Sequence, residues 1–170
     1  PSELRSFVHT PREDFEATGS ATWLGERFAW RLSATVVADP EDGDELRPDG
    51  SYVAVRLGNW MVSLGYLDRW WGPGWEGSLI LGTNARPMPS VTIERNYSDP
   101  IDHPWLAWIG QWRVSATMGR FESGRNDIED PLFFASRLTW KPHPRLEVGL
   151  SRSAQWCGDG RPCGLGTFWD

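Results

Sequence analysis

The stretch Phe28-Ala29-Trp30-Arg31-Leu32-Ser33-Ala34-Thr35-Val36-Val37 decides the fold. Its even positions, Phe28, Trp30, Leu32, Ala34 and Val36, are apolar, whereas Arg27, Arg31, Ser33 and Thr35 are polar. Successive side chains of a strand point to opposite faces, so this run predicts a strand with one apolar and one polar side. Upstream, Phe15, Ala17, Gly19, Ala21 and Trp23 alternate with Glu16, Thr18, Ser20 and Thr22. Leu24-Gly25-Glu26 reverses the chain, and the two runs together predict a hairpin.

The pattern repeats along the chain. Positions 51–57 and 60–67 flank a Gly58-Asn59 turn. The longest alternating run is 105–121, with Leu106, Trp108, Trp112, Val114, Ala116 and Met118 on one side and Gln111, Arg113, Ser115 and Thr117 on the other. A last hairpin, 132–140 and 145–156, turns at Lys141-Pro142-His143-Pro144 and carries Arg137, Thr139, Arg145, Glu147, Ser151, Ser153 and Gln155 on its polar face. No segment has helical periodicity. The acidic stretch 39–50, DPEDGDELRPDG, lacks the order of a calcium loop and is expected to be solvated, as is the polar stretch 122–130.

A length of 170 residues suits one domain, 1–170. With 17 basic and 23 acidic residues the net charge is −6, which argues against a nucleic-acid partner. There are 12 Trp, 18 Gly and 13 Pro, and Lys141 is the single lysine. Many large aromatics with an apolar fraction of only 39% imply that apolar side chains are gathered on one surface. The chain opens PSELRSF, without the basic and apolar regions of a signal peptide, and ends abruptly on Phe168-Trp169-Asp170, so it is expected to be an excerpt of something longer.

No run of apolar residues is long enough for a spanning helix, but a spanning strand needs only about 9–11 alternating residues. Arg and Glu stand in mid-strand, and Trp23, Trp60, Trp105, Trp140 and Trp156 recur near strand ends. An apolar outer band, aromatic girdles and a polar interior make the outer-membrane pattern. The fold expected is all-β: an antiparallel up-and-down transmembrane β-barrel, of which about eight strands are present. Phe28, Trp30, Leu32, Trp108, Trp112 and Val114 are expected to face lipid. A soluble antiparallel β-protein, with its apolar face inward, is the alternative.

The densest feature is Asp68-Arg69-Trp70-Trp71-Gly72-Pro73-Gly74-Trp75, followed by Ser78-Leu79-Ile80-Leu81 and Asn84-Ala85-Arg86-Pro87-Met88-Pro89. Gly72-Pro73-Gly74 forces a tight turn. The loop is expected to fold inward and narrow the lumen, because three neighbouring Trp side chains are poorly tolerated on an exposed surface.

Trp71-Gly72-Pro73-Gly74, Ser78-Leu79 and Asn84 to Pro89 at that spacing, with Ala154-Gln155-Trp156 leading to a Cys-containing loop, resemble the capsule-assembly Wzi family of outer-membrane proteins. The resemblance implies a closed barrel of about eighteen strands, an outer-membrane location, and binding of capsular polysaccharide that holds the capsule at the cell surface. Family members are much longer than this chain.

Sugars stack their C–H faces on aromatic rings and hydrogen-bond to amides, guanidinium groups and carboxylates. An acidic sugar adds a carboxylate that suits an arginine fork. Arg69, Arg86, Arg95, Arg113 and Arg137 are candidates for it, or else pair with Asp68, Glu94 and Glu147 and fill the lumen. The carbohydrate-binding set expected is Arg69, Trp70, Trp71, Trp75, Asn84, Arg86, Glu94 and Arg113. The partners expected are an acidic polysaccharide and outer-membrane lipid, with the protein a monomer.

No catalytic residue, metal or cofactor is expected. There is no G-x-S-x-G elbow, and His9, His103 and His143 lack metal-ligand spacing. An outer-membrane hydrolase using Asp68 and Glu94, a diffusion channel and a soluble Trp-rich carbohydrate-binding domain remain as alternatives. Cys157 and Cys163 in CGDGRPC fit a small disulfide, and two reduced thiols fit the sequence as well. A disulfide in an extramembrane loop is the expectation taken.

Overall fold

The structure is a computed structural model describing residues 15–40, 43–71, 78, 80–82, 86–121, 130–158 and 160–169. The strands are β1 (Phe15–Leu24), β2 (Phe28–Ala38), β3 (Leu46–Arg47), β4 (Tyr52–Leu57), β5 (Trp60–Gly65), β6 (Ser90–Arg95), β7 (Gln111–Arg120), β8 (Leu132–His143) and β9 (Leu146–Trp156). A short helix α1 (Leu165–Trp169) follows. They form one antiparallel sheet in the order β1-β2-β4-β5-β6-β7-β8-β9, with β3 beside β2. Each long strand pairs with its neighbour in sequence, the up-and-down topology of barrels. In this structure β1 and β9 remain the two edges.

β3 and β4 lie along the same edge of β2, facing Thr35–Val36 and Phe28–Arg31 respectively. Between them Ser51 fills the gap. Its Oγ accepts from Ser33 N at 2.8 Å and donates to Ser33 O at 2.9 Å, so the ladder continues through a side chain.

Register carries the two-faced pattern across the whole sheet. Trp30 faces Val53, Val53 faces Leu64, and Leu64 faces Val91. Val91 then faces Met118, Met118 faces Phe134, and Phe134 faces Ala154. On the opposite side run Ser63, Thr92, Thr117, Ala135 and Ser153. The burial is inverted relative to a water-soluble sheet: Leu32 is 63% exposed and its neighbour Ser33 only 7%. Ser33, Thr35, Ser63, Ser90, Thr92, Ser115 and Thr117 are all buried. Small hydroxyl side chains can be buried there because they find partners across the ladder, Thr18 with Thr35 at 2.7 Å and Thr92 with Thr117 at 2.8 Å.

Among the lipid-facing expectations, Phe28, Trp30, Leu32, Trp112 and Val114 lie on the apolar face. Trp108 does not belong to a strand. The run read as 105–121 begins as strand only at Gln111, because Ala107–Ile109 forms a 3-10 turn ending on Gly110 with φ +76°. A Cβ at Gly110 would stand 2.6 Å from Lys141 O, so only glycine fits this break. The turn is held by Trp140, whose Nε1–H donates to Ile109 O at 2.5 Å. α1 is likewise absent from the sequence reading; at five residues it is too short for a period to show.

Three arginines stand on apolar-face positions: Arg120, at the very end of β7, pairs with Asp130, and the other two are covered. Arg95 lies 3.9 Å from the ring centre of Trp112 and donates to Trp112 O at 2.8 Å. Arg152 stacks on Phe168 and Trp169 at 4.8 and 4.3 Å and donates to Phe168 O. Phe168 meets Phe134 and Trp156 edge-on, seating α1 on the apolar face. Aromatic rings and a carbonyl thus compensate Arg95 and Arg152 where lipid would not. Cys157 and Cys163 are joined as a disulfide beyond the end of β9.

Candidate functional site

The described residues after β5, Asp68 to Trp71, turn back over the polar face. Arg69 fixes them there: one nitrogen donates to Leu67 O and Ser90 Oγ, both at 3.0 Å, and another donates to Thr92 Oγ1. Trp71 N donates to Leu81 O at 3.0 Å and ties the two limbs of the loop together. Trp71 is 8% exposed beneath the loop, while Trp70 keeps 38% of its surface open. Burial pushes the Arg69 guanidinium below its ordinary range, and the charges of Glu94 and Asp68 oppose that shift. An arginine holds its proton through such a change, so Arg69 remains a cation.

Between loop and sheet lies a cavity of about 330 Å³ lined by Asp68, Arg69, Trp70, Trp71, Glu94, Arg113, Ser115, Arg137 and Thr139. The register explains how they meet. Glu94 faces Ser115, Ser115 faces Arg137, and Arg113 faces Thr139, so these side chains project from the polar side of β6, β7 and β8. Arg113 approaches Glu94 at 3.6 Å, an ion pair looser than a hydrogen bond. Closer to the turn between β8 and β9, a second hollow of about 160 Å³ is lined by Ser98, Gln111, Trp112, Arg113, Thr139, Lys141 and Glu147. Arg113 and Thr139 belong to both, so the two hollows adjoin along the strands.

Of the predicted carbohydrate-binding set, the cavity brings together Arg69, Trp70, Trp71, Glu94 and Arg113. Trp75 and Asn84 lie outside the described residues. Arg86 does not line the cavity. It ties the loop to the acidic stretch after β2, with Nε and Nη2 on Asp49 at 3.0 and 3.3 Å and Nη1 on Asp44 at 3.0 Å. Asp68, Ser115, Arg137 and Thr139 line the cavity but were not in the set. Parity could have found the last three, since they share the polar side of their strands with Arg113. Arg95, which the sequence reading grouped with the interior arginines, sits on the apolar face, as counting from Val91 and Ile93 shows. Among the described residues no group of three or more His, Cys, Asp or Glu is placed to hold a metal ion.

An open-edged antiparallel sheet with apolar side chains outward and a polar inner side carrying a Trp- and Arg-lined cavity is the wall of an outer-membrane type of β-barrel. The chain belongs to the capsule assembly protein Wzi family, whose model matches residues 6–170. Its fold matches that of Wzi from Escherichia coli with a TM-score of 0.87 at 32% identity, covering 96% of this chain and 37% of that one. That protein is described as an outer membrane protein involved in group 1 capsule assembly and a carbohydrate-binding β-barrel. A Klebsiella pneumoniae relative is 35% identical over 129 residues, 76% of this chain and 25% of the relative. It is described as an uncharacterized 55.8 kDa protein in the cps region. The chain thus spans about a quarter of that curated relative's length. The barrel fold and the family resemblance read from the motif region are both borne out.

Proposed function

We propose that this chain forms part of an outer-membrane barrel that retains capsular polysaccharide at the cell surface without cleaving it. The observation that carries this reading is the cavity in which Trp70 and Trp71 stand beside Arg69, Glu94 and Arg113. Its volume falls at the lower end of ligand pockets, about 300–1,000 Å³. Trp70 offers an open aromatic wall for a sugar ring, and the charged side chains offer donors and acceptors for its hydroxyls. Three arginines against two carboxylates leave the lining net positive, which favours an acidic polysaccharide. Trp75 and Asn84 extend the set in this proposal, and Arg86 acts by holding the loop.

Orientation supports the same reading. The turns 25–27, 58–59 and 144–145 lie at one end of the sheet together with the longer connection 96–110, and the strand ends that flank the connections 39–51, 66–89 and 121–131 lie at the other. Short turns face the periplasm and long loops face outward in such barrels, and with three of the four connections at the first end short, this supports a Trp loop at the outer mouth. The Cys157–Cys163 disulfide fits an oxidising compartment. Closure of the barrel removes free strand edges, so the proposed form is a monomer in outer-membrane lipid.

Asp68 and Glu94 share the cavity, which keeps a hydrolase as the second reading. Capsule retention at equal outer-membrane abundance tests the first. Loss of retention in a Trp70→Ala/Trp71→Ala variant supports it, and unchanged retention in that variant rejects it. Shortening of the polysaccharide by the wild type, stopped by Asp68→Asn or Glu94→Gln, would establish the hydrolase instead.

A further inference from the structure

The sequence leaves five arginines equal as readers of an acidic sugar, and the structure separates them. Arg86 is engaged by Asp44 and Asp49, and Arg95 lies on the other face against Trp112. Arg69 is engaged by Leu67, Ser90 and Thr92. Arg113 faces Glu94. Of the five, only Arg137 keeps a buried nitrogen, Nη1, without a hydrogen-bond partner among the described residues. Its Nε makes a single long contact to Thr139 Oγ1 at 3.4 Å. Its Nη2 lies over Gly149 on β9, 3.1 Å from where a Cβ would stand. A side chain at Gly149 would crowd the guanidinium, which lines the cavity.

Nη1 is closed to solvent as it stands, and Ser151 Oγ, directly opposite on β9, is likewise buried without a partner among the described residues. A buried cationic N–H without an acceptor costs free energy, which an acceptor in the cavity recovers once the guanidinium turns toward it. The cavity beside Arg137 holds one more cation than anions, and Trp70 forms its open wall. We propose that Arg137 reads the carboxylate of an acidic sugar residue, with Arg113 as its diagonal neighbour on the adjoining strand and Gly149 as its seat. This rests on the polysaccharide-retention reading and goes beyond it by naming the specificity-determining residue. The planar fork of arginine can donate two parallel hydrogen bonds to a carboxylate, which neither a hydroxyl nor an amide of the sugar can accept in the same way.

The test uses the protein at its natural length, purified in detergent, with oligosaccharides sheared from the capsule of its own source strain. A second sample of the same oligosaccharides has every carboxyl reduced to a primary alcohol. Wild type is expected to bind the native sample at least about tenfold more tightly than the reduced one. Arg137→Gln is expected to bind both alike, at the level wild type shows for the reduced sample. Arg137→Lys keeps the charge but loses the fork and should recover part of the preference. Gly149→Val retains the arginine and displaces it, and should also lose the preference. Equal binding of both samples by wild type, or an undiminished preference in Arg137→Gln, overturns the assignment while polysaccharide retention stands. Binding of neither sample by wild type overturns the retention reading and this assignment with it.

Discussion

Arg86 grips Asp49 with two nitrogens, Nε to Oδ2 at 3.0 Å and Nη2 to Oδ1 at 3.3 Å. A fork on a half-buried carboxylate is the stronger kind of ion pair, and it spans two connections, 39–51 and 66–89. Trp70 and Trp71 lie on the second of these, so their placement over the polar face depends on a contact remote from the cavity.

A double-mutant cycle should therefore find Arg86 and Asp49 coupled. Arg86→Ala and Asp49→Ala are expected each to destabilise the loop, and the pair to cost less than their sum by about 1–2 kcal/mol. Denaturant unfolding of the purified barrel, with limited proteolysis of 66–89, would read it. Strict additivity would mean that the pair does not hold the loop. Polysaccharide binding should weaken in Arg86→Ala along with proteolytic protection.

The two tryptophans should separate when changed singly. Trp71 is 8% exposed, and Trp71→Ala should cost about 3–5 kcal/mol of stability as a buried aromatic truncation. Trp70, half open on the cavity, should cost little stability and about tenfold in polysaccharide affinity. Unfolding curves and binding isotherms on the same samples test this. The assignment fails if Trp70→Ala binds as well as wild type.

Replacing Arg69 by Met keeps its length and removes its donors. Ser90, Thr92 and the Leu67 carbonyl then lose partners under the loop, at about 1–3 kcal/mol for the groups left unpaired. Faster hydrogen exchange confined to 66–71 and β6 is the expected signature. Unchanged exchange there would mean that the loop is anchored by other contacts.

The strands were legible because alternation is a one-dimensional property. Phe28, Trp30 and Leu32 declare their face without any knowledge of what pairs with them, and register then carries that face across the sheet. The start of β7 was not legible, because Leu106 and Trp108 keep the alternating pattern while Gly110 breaks the strand. The cavity was half legible. Arg69, Trp70 and Trp71 form a dense local motif, and Glu94 and Arg113 have the right parity. Arg137 and Gly149 meet across neighbouring strands, an approach that depends on register and not on any local signal. Arg86 looked like a ligand donor because its acidic partners lie 37 and 42 residues away in sequence.

The central claim is that one sheet shows lipid on one face and polysaccharide on the other, and adjacent residues of β7 test both halves. Val114 faces outward with Leu138, and Ser115 faces the cavity with Arg137. Spin labels placed singly at Val114 and Ser115 in bilayers should be read for oxygen and polar-relaxant access, with and without capsular polysaccharide. The account predicts an oxygen-accessible, polysaccharide-insensitive label at 114 and a label at 115 that polysaccharide immobilises. A water-accessible label at 114, or a label at 115 indifferent to polysaccharide, would contradict it.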